Sequence, residues 1–279
     1  MGYIREVYEA GQTLIIRERM KRRVEYQRKR APKTQPTSEK VWHYNLKQAI
    51  FKLTLILNEN FKPGDHHLQL TYKNEPASRE QAKKDRSKFL RKMKAECKKQ
   101  GIEFKWVAIT ERTGGRYHHH IVCSNIPISI IKKCWPKEEK GIVFHNPLWD
   151  YPNYAKLAEY LLKEAAALFA EEGVISKKRY TTSKNITVPM GKETEITRKS
   201  IEDEPTVFKD FEIDNDSIQV YENELTDTIC REYILVAQSG KPRKRWWSKG
   251  TMTTGEYVNY SKALRKAYTE TQESFWEQL

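Results

Sequence analysis

Between residues 66 and 172 the apolar pattern switches repeatedly between a two-residue and a helical period, and this switching limits the possible folds more than any other feature of the 279-residue chain. His66-His67-Leu68-Gln69-Leu70-Thr71-Tyr72 alternates with period two, as a half-buried strand does. Ser78 followed by Gln81 makes a capping box, and the helix it opens runs to about Gln100 with Gly101 just past its end. Ala82, Phe89, Leu90, Met93 and Cys97 give that helix one apolar stripe, while Lys and Arg crowd the remainder. Residues 104–109 (FKWVAI) read as a strand, Gly114-Gly115 as a tight turn and residues 116–122 as the returning strand of a hairpin. A short helix around 128–135, a strand at 141–144 and a long helix over 153–172, closed by Gly173, complete the series. Strand, helix, strand, strand, helix, strand, helix is a split βαβ order. It predicts an α+β domain at roughly residues 45–190, with a ferredoxin- or RRM-like antiparallel sheet and helices on one face.

The flanks differ in charge. Residues 17–30 (RERMKRRVEYQRKR) hold eight basic and two acidic side chains, and the Pro-, Ser- and Thr-rich APKTQPTSEK follows. Residues 1–44 are therefore read as a basic arm and linker, suited to phosphate contacts or simply solvated. Residues 193–216 reverse the sign, with nine acidic and three basic side chains, and read as a linker that opens a C-terminal region over 191–279. That region includes a strand-like stretch at 232–237 and KPRKRWWSK (241–249). Its cations around two tryptophans suit single-stranded nucleic acid, with Arg243, Lys244 and Arg245 as candidate DNA contacts.

In the whole chain 51 Lys and Arg outweigh 37 Asp and Glu, leaving a net charge of +14. Such an excess favours a polyanionic partner, nucleic acid before a membrane surface. No apolar run reaches the roughly 18 residues of a membrane helix, and the opening residues lack an apolar signal core. Glu6 occupies the position where a myristoylation motif needs Ser or Thr. Cys97, Cys123, Cys134 and Cys230 form no C-x-x-C pair and read as reduced thiols, so the expected location is the cytoplasm.

Three clusters carry chemistry. In Arg116-Tyr117-His118-His119-His120-Ile121-Val122, a strand would put His118 and His120 on one face and His119 on the other. Two neutral imidazoles at that separation can chelate a divalent ion, with Glu111 across the hairpin as the third ligand. Two histidines and a carboxylate would equally suit non-haem iron; hydrogen-bonded histidines on a polar sheet face are the plainer alternative. The second cluster argues against an iron oxygenase. In Ala158-Glu159-Tyr160-Leu161-Leu162-Lys163-Glu164, Tyr160 and Lys163 share a helix face with Lys156 one turn earlier. Nearby positive charge or a metal favours the phenolate and hence a nucleophile, although a lone Tyr-x-x-Lys is more simply a boundary tyrosine. The third cluster, residues 63–72, says only strand, and His66 or His67 could be surface residues.

Taken in this order, the clusters resemble the HUH endonucleases, and most closely the rolling-circle replication initiators of bacterial plasmids, phages and integrated elements. Leu68-Gln69-Leu70-Thr71-Tyr72 looks like that family's first motif, His118-His119-His120 like its metal motif and Tyr160-Leu161-Leu162-Lys163 like its nucleophile motif. Arg179-Tyr180-Thr181-Thr182-Ser183-Lys184-Asn185 is similar to a segment after the nucleophile helix in the phage and prophage branch. The resemblance spans roughly residues 45–190 and implies an HUH endonuclease fold with terminal extensions.

It further implies Mg²⁺ or Mn²⁺ held by His118, His120 and Glu111, attack by Tyr160 on single-stranded origin DNA, and Lys163 steadying charge. The products would be a 5′-phosphotyrosine and a free 3′-OH, and strands would later be rejoined. Arg116, Lys156, Arg179 and Lys184 are further candidate DNA contacts, and host helicase and polymerase are the implied partners. Two departures stand out: His119 replaces the usual bulky hydrophobe, and Lys156 stands where paired-tyrosine initiators carry a second tyrosine. A one-tyrosine enzyme is therefore expected, with Tyr154 on a different helix face. Rival readings are a conjugative relaxase or HUH transposase with the same chemistry, and a non-catalytic RRM-like nucleic-acid-binding module.

Overall fold

The computed structural model describes residues 2–21, 38–171, 179–223, 227–238 and 251–252. The chain forms two compact units, one of residues 33–188 and one of residues 1–32 joined with 189–279. The stretch read as an N-terminal arm thus holds two strands, β1 (Tyr3–Ala10) and β2 (Thr13–Met20). Counting charges over residues 17–30 hid their spacing. Arg17 and Arg19 alternate with Glu18 along β2, and both arginines are paired inside a sheet, to Glu232 and Glu6. Residues 22–37 and the KPRKRWWSK segment, with Arg243, Lys244 and Arg245, lie outside the described residues.

The 33–188 unit is α+β and follows the split βαβ order. Its helices are α1 (Glu39–Asn60), α2 (Arg79–Lys99), α3 (Ile128–Cys134) and α4 (Ala155–Glu171). Its strands are β3 (His66–Leu70), β4 (Trp106–Thr113), β5 (Arg116–Cys123), β6 (Val143–Pro147) and β7 (Thr181–Thr182). They make an antiparallel sheet of order β6-β3-β5-β4-β7. Ser78 caps α2 by accepting the Gln81 amide at 3.2 Å. Gly101, just past the end of the helix, has φ 67°.

Helices cover both faces of this sheet rather than one. Leu68, Leu70, Ala108, Ile121 and Cys123 face α2 and α3, where they pack on Phe89, Met93, Ile130 and Trp135. Val107, Ile109 and Val122 face the other way, onto Leu53, Leu57, Leu157, Leu161 and Leu162 of α1 and α4. Helix α1 supplies the unexpected cover. Its run Leu53-Thr54-Leu55-Ile56-Leu57 is buried at every position, so neither period shows in it. Each such buried side chain contributes about 1.5–3 kcal/mol relative to exposure, so both layers matter to stability. The strand expected at 141–144 sits instead at 143–147. Gly141, after the turn at 137–140, has φ 141°, and a Cβ there would collide with the Thr71 carbonyl, so only glycine fits.

The other unit is built on a second antiparallel sheet. It adds β8 (Gly191–Ile196), β9 (Val207–Phe208), β10 (Phe211–Asn223), β11 (Thr228–Ala237), β12 (Thr251–Met252) and the short helix α5 (Lys199–Glu202). The order is β10-β11-β2-β1-β8, with β9 and β12 paired separately. The acidic stretch 193–216, read as a linker, therefore contains most of β8, all of α5 and β9, and the start of β10. Val7, Leu14, Ile16, Ile213, Tyr233 and Leu235 form the core on one face. On the same face Glu18 and Arg231 are both fully buried; Arg231 Nε donates to Glu18 Oε2 at 2.6 Å, and Arg5 Nε donates to Glu18 Oε1 at 2.6 Å. The remaining Arg231 nitrogens donate to the carbonyls of Asp203 and Ser200.

Breaking a buried ion pair from one side costs about 3–5 kcal/mol, because the abandoned charge stays desolvated. Glu18→Ala should lower unfolding stability by that amount in urea titration. Replacing all three members together, Arg5→Met, Glu18→Met and Arg231→Met, should recover much of the loss.

Candidate active site

The pleat of β5 sorts its three histidines. Tyr117, Ile121 and Cys123 point toward α2 and α3, while Val122 points toward α1 and α4. His119 shares the first direction; it is fully buried between Tyr72, whose hydroxyl lies 2.7 Å from Nε2, and Thr110, whose hydroxyl lies 3.0 Å from Nδ1. Arg86 also donates to that threonine hydroxyl at 2.7 Å. The position that departs from the usual hydrophobe thus meets a polar pocket shaped to an imidazole. Burial and the neighbouring Arg86 charge hold His119 well below its ordinary pKa, so it is neutral.

His118 and His120 lie on the opposite face. Glu111 of β4 is in register with His118, and its Oε1 accepts from His120 Nε2 at 2.6 Å. The other ring nitrogen of His120, Nδ1, shares a hydrogen bond with His67 Nε2 at 3.0 Å. One tautomer satisfies both contacts, with His67 donating to His120 and His120 donating to the carboxylate. Tyr160 of α4 is brought to this cluster. Its ring stands 5.8 Å from that of His120, at right angles to it, and 6.5 Å from that of His67. With 46 % of its surface exposed, the tyrosine is open to a substrate arriving from solvent.

Other sequence-derived candidates are placed as follows. Lys163 pairs with Glu159 at 2.9 Å on the exposed side of α4, and Lys156 is exposed one turn before Tyr160. Arg116 donates to Glu75 at 3.0 Å and to the Tyr72 carbonyl at 2.8 Å, and lines a cavity that His118 also lines. Arg179 stacks its guanidinium 5.4 Å over the Trp42 ring and is partly desolvated there. Lys184 is exposed in the turn after β7. Tyr154 is fully buried, and its hydroxyl has no hydrogen-bond partner.

His67 and Gln69 were missed as members of this face. Leu68 and Leu70 point into the α2–α3 core, so alternation sends His67 and Gln69 to the side of His120. The pairing of β3 with β5, with Gln69 opposite His120, completes the placement. Alternation was visible in the sequence, but the pairing was not. His66 goes the other way, hydrogen-bonded to the Ile126 carbonyl at 2.9 Å and to His145 at 2.7 Å.

Two atoms of the cluster test its suitability for a divalent ion. Glu111 Oε2 and His118 Nδ1 are both buried without a hydrogen-bond partner, and such orphans call for an explanation. Their residues are register neighbours, and with His120 they form a nitrogen–oxygen donor set suited to a divalent metal. As placed, no three His, Cys, Asp or Glu side chains among the described residues converge on one point. Metal binding would replace the proton shared by His120 Nε2 and Glu111 Oε1. The donor set fits; the closed hydrogen bond has to open.

Burial, aided by His120, pushes the His67 pKa down to about 4. A histidine depressed in the folded state stabilises fully above the unfolded value near 6.5 and loses that contribution as pH falls toward 4. In chelator-treated protein, the wild type should lose stability between pH 6.5 and 4, and His67→Gln should flatten that fall in urea titrations.

Residues 65–167, from the residue before β3 to within α4, match the family model described as replication-associated protein ORF2/G2P. Comparison with curated proteins and with solved structures gives no match. The matched span contains His67, Glu111, His118, His120 and Tyr160, so the segment similar to replication-associated proteins is the one that carries the cluster.

Proposed function

We propose that this protein is a replication initiator of the rolling-circle, HUH type, which nicks single-stranded origin DNA through Tyr160 and later rejoins strands. The observation that carries this reading is the position of the exposed Tyr160 ring, 5.8 Å from His120, on the sheet face that also bears Glu111 and His118. The family match supports a part in DNA replication and DNA as the partner. The net charge of +14 agrees with a polyanionic substrate. An RRM-like binder would present aromatics on its central strands, whereas β3 and β5 present His67, Gln69, His118 and His120. That difference favours nuclease chemistry over passive binding.

His118, His120 and Glu111 would hold Mg²⁺ or Mn²⁺, which when bound polarises the scissile phosphate and favours the phenolate. The remaining work belongs to the chain. Tyr160 Oη attacks phosphorus in line; the phenolic proton is lost, the bond to the 3′-oxygen breaks, and that oxygen leaves as the 3′-OH after taking up a proton. The phosphodiester energy is kept in the 5′-phosphotyrosine, so a later 3′-OH can reverse the step. His67 is neutral at pH 7 and bonded to His120, which fixes that imidazole's tautomer and aim. Lys156 and Lys163, on either side of Tyr160 along α4, would steady phosphate charge, Lys163 by exchanging its Glu159 partner for the phosphate. Tyr154 is buried and Lys156 holds the other candidate position, so a single tyrosine does the cutting.

A conjugative relaxase or HUH transposase, with the same chemistry on a related set of residues, is the rival reading, and host helicase and polymerase would act on the liberated 3′-OH. No described helix is long and apolar enough to cross a membrane; the proposed location is the cytoplasm, where the DNA is.

Incubation with single-stranded oligonucleotides from the element's own origin and Mn²⁺ should give a protein–DNA adduct that survives denaturing electrophoresis. Tyr160→Phe should reduce adduct formation on the order of 10³-fold or more. The pair His118→Ala with His120→Ala, or chelation by EDTA, should do the same. An adduct persisting in Tyr160→Phe would reject the nucleophile, and undiminished cleavage without the histidines would reject the metal ligands.

A further inference from the structure

We propose that the sheet edge beside this site is a base-stacking subsite. In it Phe144 takes one unpaired base of the strand being cut, and Lys73, Arg116 and Lys137 take the phosphates beside it. The inference rests on the single-strand nuclease reading above and adds to it where the substrate lies.

Phe144 belongs to β6, the outermost strand on its side of the sheet. It is opposite Gln69, which is opposite His120, so ring and imidazole occupy one row across the same face. Two strand spacings place them about 10 Å apart. Helices α1 and α4 cover Val107, Ile109 and Val122 on this face, yet Ile142 and Phe144 remain 45 % and 49 % exposed. Their neighbour Val143 packs into the opposite core. An aromatic ring left half in water beside a reactive cluster offers a surface to a flat ligand.

The surroundings choose the ligand. A cavity of about 510 Å³ runs from His118 past Ile142 to Phe144 and is lined by Lys73, Arg116 and Lys137. Glu138 is the one acid in its wall. Lys73 and Lys137, with Arg116 once it exchanges its Glu75 partner for a phosphate, are cations around an aromatic that suit a base with its phosphates. They disfavour an apolar protein surface, and they would repel the same three cations of a second copy.

The subsite is also stiff before anything binds. Ile142 and Thr71 exchange bonds at 3.0 and 3.1 Å, and the Lys73 amide donates to the Lys140 carbonyl at 2.6 Å. Trp135 Nε1 donates to the Thr71 carbonyl at 3.1 Å. The positive φ of Gly141 permits this close approach, which any side chain there would block. A preformed wall spares the ordering cost of binding.

The test uses the full chain and a single-stranded oligothymidylate carrying one 2-aminopurine, whose fluorescence falls when it stacks. Wild type should bind and quench it. Phe144→Ala and Phe144→Leu should each weaken binding roughly 10- to 100-fold and abolish quenching, while Phe144→Tyr restores both. Leucine keeps apolar bulk without an aromatic face, so its failure separates stacking from packing, and unchanged thermal unfolding excludes misfolding. Lys73→Gln and Lys137→Gln should each lower the salt slope of binding by about one. Wild-type affinity and quenching in Phe144→Ala, with adduct formation intact, would overturn the subsite and leave the nuclease standing. Loss of self-association in Phe144→Ala without any change in DNA affinity would overturn it too, assigning the face to a second copy.

Discussion

The alternation of side chains along β5 is the constraint on which the 33–188 unit depends. Three adjacent histidines cannot share one site on a pleated strand. The middle one must go into the opposite core, and a buried imidazole without partners costs about 1–3 kcal/mol. Tyr72, two residues past β3, and Thr110 of β4 meet that demand on either side of His119. Those two bonds tie β5 to both neighbours in one register. A slip of one residue would carry His118 and His120 into the apolar core and His119 out. The polar pocket on one face therefore helps to hold His118, His120 and Glu111 together on the other.

The fold of this unit was legible where its periods were clean. Strands β3, β4 and β5, the Ser78 cap and the Gly114-Gly115 turn stand in the sequence because local chemistry sets them. What could not be read depended on partners. Helix α1 hides in an apolar run with no period; its burial needs α4 and the sheet to be known first. His67 looked like a surface histidine until β3 was laid beside β5. Glu111, His118 and His120 could be named individually, because residue type and strand parity select them, whereas Tyr160 stood out through the resemblance. The hydrogen bonds linking His67, His120 and Glu111 are products of strand pairing. The N-terminal strands were obscured for another reason: their charges were counted as a block, whereas spacing decides whether an arginine is solvated or paired.

That distinction changes the meaning of the positive charge. In the unit of residues 1–32 and 189–279, Arg5, Arg17, Arg19 and Arg231 are bound to Glu18, Glu232 and Glu6 within the sheet. Their charge is neutralised internally and offers little to a polyanion. In the 33–188 unit, by contrast, α2 alone exposes Lys84, Lys88, Arg91, Lys92, Lys94 and Lys98 to solvent. The surplus that points toward nucleic acid is thus carried by the unit that also carries the tyrosine and histidines, and long-range attraction would draw DNA to it.

Strand β2 pairs with β11 through Glu18↔Arg231 and Arg17↔Glu232, joining positions more than 200 residues apart. The 33–188 unit is inserted as one uninterrupted stretch between the two parts of that sheet. On a ribosome, β1 and β2 emerge before β11 and can pair with each other at once, Arg5 with Glu18, but Arg231 and Glu232 reach Glu18 and Arg17 only after β11 has been synthesised. All of the inserted unit is out of the tunnel, or nearly so, before that moment. The tyrosine-bearing unit can consequently mature co-translationally, while the β2–β11 pairing closes later, across more than 200 residues and at the slow rate that distant strand pairing imposes.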